Sequence, residues 1–249
     1  MRLTILGSGT AAPLPDRNCA GYLLEVDNKK LLFDSGAGTI RRLLELKYDL
    51  FEIDDIFYTH LHNDHINDLG AIIWSSNYGG IRKKPLNLYG PFGFKEYFDI
   101  LLNKLLKPTK LYFQINVKEL KKSAIKIKNI TIKTNGIKHS STTKSIAYRI
   151  EHKNRALVYA GDAAYCNEAV EIAANADALL IECSFPDNKK MEGHLTPSLA
   201  GKIASKAKVK TLILTHFYPQ ALKADIKKQC RKEFKGKIIL AKDMMSINI

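Results

Sequence analysis

Three histidines and an aspartate fall within six residues of the run Tyr58-Thr59-His60-Leu61-His62-Asn63-Asp64-His65. Imidazole and carboxylate side chains suit Zn, Mn or Fe. The apolar Ile56-Phe57-Tyr58 just ahead reads as a buried strand, so the cluster sits where a strand gives way to a loop, before a helix expected to begin near Asn67. In extended chain, residues i and i+2 point to the same side. His60 and His62 can therefore grip one ion, while Asp64 and His65 face a second as the chain turns. A lone histidine would be read as structural; four ligand-type side chains in so short a run favour metal.

The chain has seven histidines, and most of the others stand at similar places. His139 follows the strand-like Ile130 to Thr134 by a short turn. Asp162 ends the apolar run Val158-Tyr159-Ala160-Gly161-Asp162, and His216 ends Leu212-Ile213-Leu214-Thr215-His216. His194 lies in Glu192-Gly193-His194-Leu195-Thr196-Pro197, a loop opening a helix. Strand ends that meet loops are where ligand sites gather in α/β sheets. Taken singly, Asp162 could cap a helix and His139 could be an ordinary loop residue. His152, in the charged turn Glu151-His152-Lys153-Asn154-Arg155, reads as an exposed turn residue.

The elements that must position these residues alternate along the chain. Strands are expected at Leu3 to Leu6, Gly21 to Val26, Lys30 to Phe33, Ile56 to Tyr58, Leu86 to Tyr89, Tyr112 to Val117, Ile125 to Thr134, Ser145 to Glu151, Ala156 to Tyr159, Ala178 to Ile181 and Thr211 to Leu214. Helical periodicity marks Thr39 to Leu46 and Phe94 to Leu106. Further helices are expected at Asn67 to Ser75, Asn167 to Ala174, Thr196 to Lys206 and Lys223 to Phe234, with Thr196-Pro197 a cap followed by a first-turn proline. This alternation indicates a layered α/β architecture. With no linker or repeat in view, residues 1–249 read as one domain.

Composition narrows the setting. The 249 residues can bury a substantial core, and 45% hydrophobic content is ordinary for a globular protein. No apolar run approaches the roughly 20 residues that span a bilayer, and Met1 to Gly7 lacks the form of a signal peptide. The widely spaced Cys19, Cys166, Cys183 and Cys230 form no CxxC pair, so they read as buried thiols. A cytoplasmic protein with no membrane partner is the expectation. The net charge of +14 would attract phosphates if it clustered on one face; the lysines are spread along the chain, and solvated faces explain them equally well.

The histidine run resembles the His-x-His-x-Asp-His signature of the metallo-β-lactamase fold superfamily, and His139, Asp162 and His216 match its later ligands in order. Within that superfamily the chain looks most like the ribonuclease Z group. The resemblance rests on Leu6-Gly7-Ser8-Gly9-Thr10, the loop Pro13 to Asn18, Leu32-Phe33-Asp34-Ser35-Gly36, Ala147-Tyr148-Arg149-Ile150, Ile181-Glu182-Cys183-Ser184-Phe185, His194-Leu195-Thr196 and Thr215-His216-Phe217. It implies a four-layer αβ/βα sandwich with a dinuclear site at one edge of two packed sheets. By carry-over, His60, His62 and His139 would bind one divalent ion, with zinc first and manganese or iron as alternatives. Asp64, His65 and His216 would bind the other, and Asp162 would bridge. His194 matches the group's catalytic histidine; Glu182, at a strand end, could orient it or could equally serve as an ordinary loop residue. Related folds often dimerise, so a homodimer is among the expectations.

Departures restrict the substrate. The transfer-RNA-processing members carry a long arm between the equivalents of His139 and Asp162, where only 22 residues stand here. Pro15, His194-Leu195-Thr196 and Glu182-Cys183-Ser184 also differ from the commoner forms. Gly7-Ser8-Gly9-Thr10-Ala11-Ala12 mimics a dinucleotide fingerprint, but Pro13 and Pro15 obstruct the helix which that fingerprint must open. Three function classes follow. The first is a phosphodiesterase acting on RNA or on small or cyclic nucleotides, the second a hydrolase of carbon esters, thioesters or lactones, and the third a non-catalytic nucleic-acid-binding member. The first is favoured. Two cations would lower the pKa of a bridging water into a hydroxide nucleophile, and Asp162 would orient it while His194 protonates the leaving group.

Overall fold

The computed structural model describes residues 1–80 and 82–249. Its strands form two sheets. The first is built from β1 (Arg2–Gly7), β2 (Gly21–Val26), β3 (Lys29–Ser35), β4 (Asp55–Phe57), β5 (Leu86–Gly90) and β6 (Ile115–Glu119). The second is built from β7 (Ser123–Ile127), β8 (Ile130–Ile137), β9 (Ser145–His152), β10 (Arg155–Tyr159), β11 (Ala178–Glu182), β12 (Thr211–Thr215) and β13 (Lys237–Leu240). A last strand, β14 (Ser246–Asn248), returns to the first sheet beside β1, giving seven described strands in each. The orders are β14-β1-β2-β3-β4-β5-β6 and β13-β12-β11-β10-β9-β8-β7. In both sheets an antiparallel half joins a parallel half, at β3 and at β10.

Helices cover the outer faces. α1 (Thr39–Glu45), α2 (Asn63–Ile66), α3 (Leu69–Tyr78) and α4 (Phe94–Ile100) lie with the first sheet, α4 running on into a π-helical turn over Leu101–Leu106. α5 (Asn167–Ala173), α6 (Pro197–Lys206), α7 (Pro219–Leu222) and α8 (Ile226–Cys230) lie with the second. Side chains two apart on a strand share a face, and the core divides accordingly. On β3, Leu31 and Phe33 enter the layer between the sheets while Leu32 meets the helices. On β12, Ile213 enters the inter-sheet layer while Leu212 and Leu214 meet α6 and α8. Three apolar layers between four layers of structure make the αβ/βα sandwich.

Several sequence expectations need correction. Ile125 to Thr134 is not one strand: Lys128, at φ +52°, turns the chain between β7 and β8. The strand expected from Tyr112 begins only at Ile115. Lys223 to Phe234 holds only the short α8, which Asp225 caps by accepting from Lys228 N. Asn67 to Ser75 is replaced by a one-turn α2 and then α3, so Asp64 and His65 are helical. His152 is buried rather than exposed: it ends β9, and its Nε2 lies 3.0 Å from Asp27 Oδ2, because the β9–β10 turn packs on the β2–β3 turn. Thr196 does cap α6, with Pro197 in its first turn. No dinucleotide helix starts between Gly7 and Asn18, where Leu14 and Arg17 pair instead as an isolated bridge. Cys166, Cys183 and Cys230 are buried free thiols, and Cys19 is half-buried. Among the described residues no helix is long and apolar enough to cross a membrane.

Close backbone approach locks the first sheet to α2. A Cβ added to Gly36, just past β3, would lie 2.0 Å from Asp64 O and 2.6 Å from Cys19 Cβ. No rotamer change can relieve a clash with a carbonyl, so the backbones must part. Gly36→Ala should cost about 2 kcal/mol or more in denaturant unfolding and should also weaken divalent-metal binding, because it displaces the turn that carries Asp64. Calorimetric metal titration checks the second effect.

Candidate metal centre

The candidate residues converge at one end of the two sheets, each delivered by a strand end or the loop beyond it. His60 and His62 follow β4, with His62 in extended conformation as the cap of α2, and Asp64 and His65 ride on α2. His139 follows β8, Asp162 follows β10, Glu182 ends β11 and His216 follows β12. His194 lies in the loop before α6. The parallel strands β10, β11 and β12 run in register, so their ends present Asp162, Glu182 and His216 together.

Donor atoms gather into four overlapping sets, each within 4.8 Å: His60, His62 and His139; His60, His65 and Asp162; Asp64, His65 and His216; and His139, Asp162, Glu182 and His194. Asp162 stands between them. Its Oδ1 is 3.3 Å from His65 Nε2 and 3.4 Å from His216 Nε2, while its Oδ2 is 4.0 Å from His139 Nε2. Asp64 Oδ2 lies 3.1 Å from His216 Nε2 and accepts from Ala11 N at 3.0 Å. His65 Nε2 faces His216 Nε2, and His139 Nε2 faces His62 Nδ1, both at 3.2 Å.

The far side of four of the five imidazoles is already engaged. His65 Nδ1 bonds Asp34, His139 Nδ1 bonds the Gly193 carbonyl at 2.8 Å, His216 Nδ1 meets Ser184 Oγ at 3.0 Å, and His60 Nδ1 meets Thr59 Oγ1 at 3.0 Å. This leaves their Nε2 atoms for the centre, which is how metal-binding histidines are aimed. Two buried atoms of this cluster, His60 Nε2 and Asp162 Oδ1, have no hydrogen-bond partner among the described residues. An orphaned buried polar atom costs about 1–3 kcal/mol, and a divalent cation held by these sets would satisfy both. Burial, reinforced by neighbouring imidazoles, pushes His60 well below its usual pKa, so it is neutral, the form that ligates. Burial opposes ionisation of Asp64, but the His216 contact wins and lowers it to about 2.

Asp34 is the residue that the sequence did not single out for the site. It is the bulged residue of β3, opposite the step from Gly21 to Tyr22, and adopts φ +54°. A bulge re-aims a side chain, and here the fully buried carboxylate accepts from Thr59 N and Oγ1 at 2.8 Å, from Tyr159 OH at 2.5 Å and from His65 Nδ1 at 2.7 Å. The loop from Ser8 to Asn18 is held in turn by Asp243, which accepts from Ser8 N, Ser8 Oγ and Asn18 N. Asp243 gave no signal, because its partners lie more than 200 residues away; Asp34 stood in a quoted motif without a role.

Glu182 and His194 form a second layer around Asp162. Both Glu182 oxygens lie 3.1 Å from His194 Nδ1, and Glu182 also accepts from Ala163 N at 2.7 Å and from Ser184 Oγ. Burial alone would lower the pKa of His194, but the Glu182 hydrogen bond and charge outweigh it and lift the value to about 9. His194, together with His62 and His139, lines an open cavity of about 440 Å³.

Two sheets in this order, with the histidine cluster at one edge, define a metal-dependent hydrolase of the metallo-β-lactamase fold. More narrowly, the chain belongs to the family described as Anti-Pycsar protein Apyc1, whose model matches residues 1–237. It is similar to ribonuclease Z of Methanosarcina mazei, 26% identical over 307 positions that take in 100% of this chain and 98% of the relative. In structure it resembles human tRNase Z, short form, at TM-score 0.83 and 26% identity over 100% and 99% of the two chains. It also resembles the metallo-β-lactamase fold protein YhfI of Bacillus subtilis, at TM-score 0.86 and 24% identity over 99% and 98%. The likeness to ribonuclease Z read from the sequence is borne out.

Asp34→Asn keeps the shape but replaces one acceptor oxygen with a donor, which cannot serve His65, Thr59 and Tyr159 together. Metal affinity should fall by about 10–100-fold with little change in secondary structure. Metal titration of the purified variant, with circular dichroism alongside, checks both.

Proposed function

We propose that the chain is a dinuclear-metal phosphodiesterase with a compact nucleotide-class substrate. The observation that carries this reading is the orphaned pair His60 Nε2 and Asp162 Oδ1 at the meeting of the donor sets. In this reading His60, His62 and His139 hold one cation, Asp64, His65 and His216 the other, and Asp162 lies between. Imidazole-rich donors suit zinc ahead of manganese or iron. When bound, such cations supply a low-pKa water and neutralise charge on phosphate oxygens.

The chain's own residues do the rest. Asp162 and Asp64 contribute negative charge that offsets half of that on the cations, and Ala11 N fixes one Asp64 oxygen. His194 holds a proton at neutral pH, because Glu182 stabilises its cation, and gives that proton to the departing alkoxide. Glu182 is a positioning residue: it accepts from Nδ1, which leaves Nε2 as the donor to substrate. The names of the relatives, ribonuclease Z and tRNase Z, support a phosphodiester over a carbon ester. The 22 residues between His139 and Asp162 are taken up by β9 and β10 with their turns, which supports a compact substrate.

His62→Ala or Asp162→Ala should lose both metal and turnover. His194→Ala should keep metal and lose about 10²–10⁴-fold in kcat on a diester with an alkoxide leaving group. It should lose far less on bis-p-nitrophenyl phosphate, whose leaving group needs no proton. The pH profile has a definite sign: His194 is the active acid below its pKa, so kcat should fall as pH rises through about 9. Glu182→Gln removes the charge that raises this pKa, so that limb should move to lower pH. A panel of phosphodiesters, a thioester and a lactone on the metal-loaded protein tests the class, and preference for the thioester or lactone overturns it.

A further inference from the structure

Just past His216 the chain sets an aromatic side chain beside the centre that none of the donor sets uses. Tyr218 caps α7 in the extended conformation that the following Pro219 favours. Its backbone is held on both sides: Phe217 N donates to Ser8 O at 3.0 Å, and Ala221 N donates to Tyr218 O at 2.9 Å. The ring is held as well. Phe185, buried three residues past β11, stacks on it with 4.7 Å between centroids and 19° between planes. A ring fixed at its backbone and covered on one face has little freedom to turn away.

Its place relative to two of the histidines is symmetrical. The Tyr218 centroid lies 6.0 Å from that of His194 and 6.0 Å from that of His216, at 75° and 77° to their planes. Those two imidazoles are 6.2 Å apart and nearly parallel, at 13°. Tyr218 is therefore the third corner of a near-equilateral triangle whose other corners are the proposed proton donor and a candidate metal ligand. Buried tyrosines behind the centre spend their hydroxyls inside the fold, Tyr22 on Thr215, Tyr58 on Ser35 and Tyr159 on Asp34. Tyr218 is half-buried and makes no such bond among the described residues, with Thr10 a loose neighbour. The carboxylates of Asp64, Asp162 and Glu182 all bear on its hydroxyl, which thus lies toward the cluster.

We propose that Tyr218 is a substrate-contacting residue of this centre, whose hydroxyl donates a hydrogen bond to a non-bridging oxygen of the scissile phosphate while Phe185 holds the ring in place. The inference rests on the phosphodiesterase reading for the identity of that oxygen. A phenol keeps its proton at neutral pH and offers one O–H donor. A donor already aimed at an oxygen on which charge builds binds the transition state more strongly than the ground state. His194 then serves the leaving oxygen, and Tyr218 serves an oxygen beside it.

The test uses metal-loaded Tyr218→Phe, which keeps the ring and its stack and removes only the hydroxyl. Its metal content, measured by atomic emission, should equal that of the parent. On bis-p-nitrophenyl phosphate kcat should fall about 10–10²-fold with little change in KM. A similar fall should appear on a diester with an alkoxide leaving group. His194 matters little for a nitrophenolate, so a fall confined to the alkoxide diester means that Tyr218 acts only by placing His194, and overturns the proposal. An unchanged kcat on both substrates overturns it too, as does loss of metal. A readout that mere support of the fold does not move is the preference between the Rp and Sp forms of methyl p-nitrophenyl phosphorothioate. Sulfur accepts hydrogen bonds weakly, so the hydroxyl matters for only one of the two forms. Their kcat/KM ratio should therefore change in Tyr218→Phe by about the factor lost on the oxygen diester, and an unchanged ratio overturns the contact. If the parent cleaves no phosphodiester, the functional reading fails, but calorimetric binding of inorganic phosphate to metal-loaded parent and variant still decides the contact. Weaker binding in Tyr218→Phe upholds it, and equal binding overturns it.

Discussion

A single carboxylate, Asp34, ties together the parts that must not move. It is buried and ionisable, and it accepts from the loop after β4, from β10 of the opposite sheet and from His65 of α2. A carboxylate out of water is tolerable only when its oxygens are fully bonded. Its neighbours are therefore obliged to keep their places, and those neighbours are the segments that deliver His60, Asp162 and His65. Tyr159 is the one link among them that comes from the second sheet, so the same carboxylate sets the spacing between the sheets where the donors must meet. Its backbone sits at φ +54°, a conformation that costs a non-glycine residue about 1–2 kcal/mol and that the four hydrogen bonds hold in place.

His216 repeats this arrangement across the site. It too is left-handed, at φ +57°, immediately after β12. Ser184 bonds its Nδ1 and also donates to Glu182. One network thus runs from His216 through Ser184 to Glu182 and on to His194. A strand that ended in ordinary extended geometry would carry the imidazole past Asp64 and Asp162. The two strained backbones stand on opposite walls of the cluster, and strain of this kind gathers where the fold must over-determine a side chain's direction.

The sequence made the ligand-type residues at the strand ends legible and left Asp34 and Asp243, which orient them, dark, for a physical reason. Ligand-type residues at the ends of β-strands announce themselves by type and by local spacing, so His60, His62, Asp64, His65, His139, Asp162, His194 and His216 could all be named. The orienting residues are chosen by distance in space. Asp34 meets Tyr159 across 125 residues and Asp243 meets Ser8 across 235, and no local pattern encodes either pairing. The fold errors have the same origin. The β7–β8 turn rests on one lysine in a left-handed conformation rather than on a glycine or proline, so Ile125 to Thr134 read as continuous. His152 looked exposed because its partners, Asp27 and Asn129, come from other turns. Thr196-Pro197, by contrast, is a wholly local signal, and it was read correctly.

The charge of the donor set bears on what the site can accept. Five imidazoles, which carry no charge as metal ligands, and two carboxylates, Asp64 and Asp162, would leave two positive charges uncompensated on a pair of divalent cations, and one once a bound hydroxide is counted. Glu182 does not change this balance, since it is matched by protonated His194, and Asp34 is spent on hydrogen bonds outside the cluster. An uncharged ester gains little from such a residue of charge in its ground state, whereas a phosphodiester anion is drawn to it, and the negative charge that builds in its transition state is drawn more strongly still. A donor set richer in carboxylate would bind the same ions and cancel that advantage. The choice of imidazole over carboxylate at five of seven positions is therefore an argument about substrate as well as about metal.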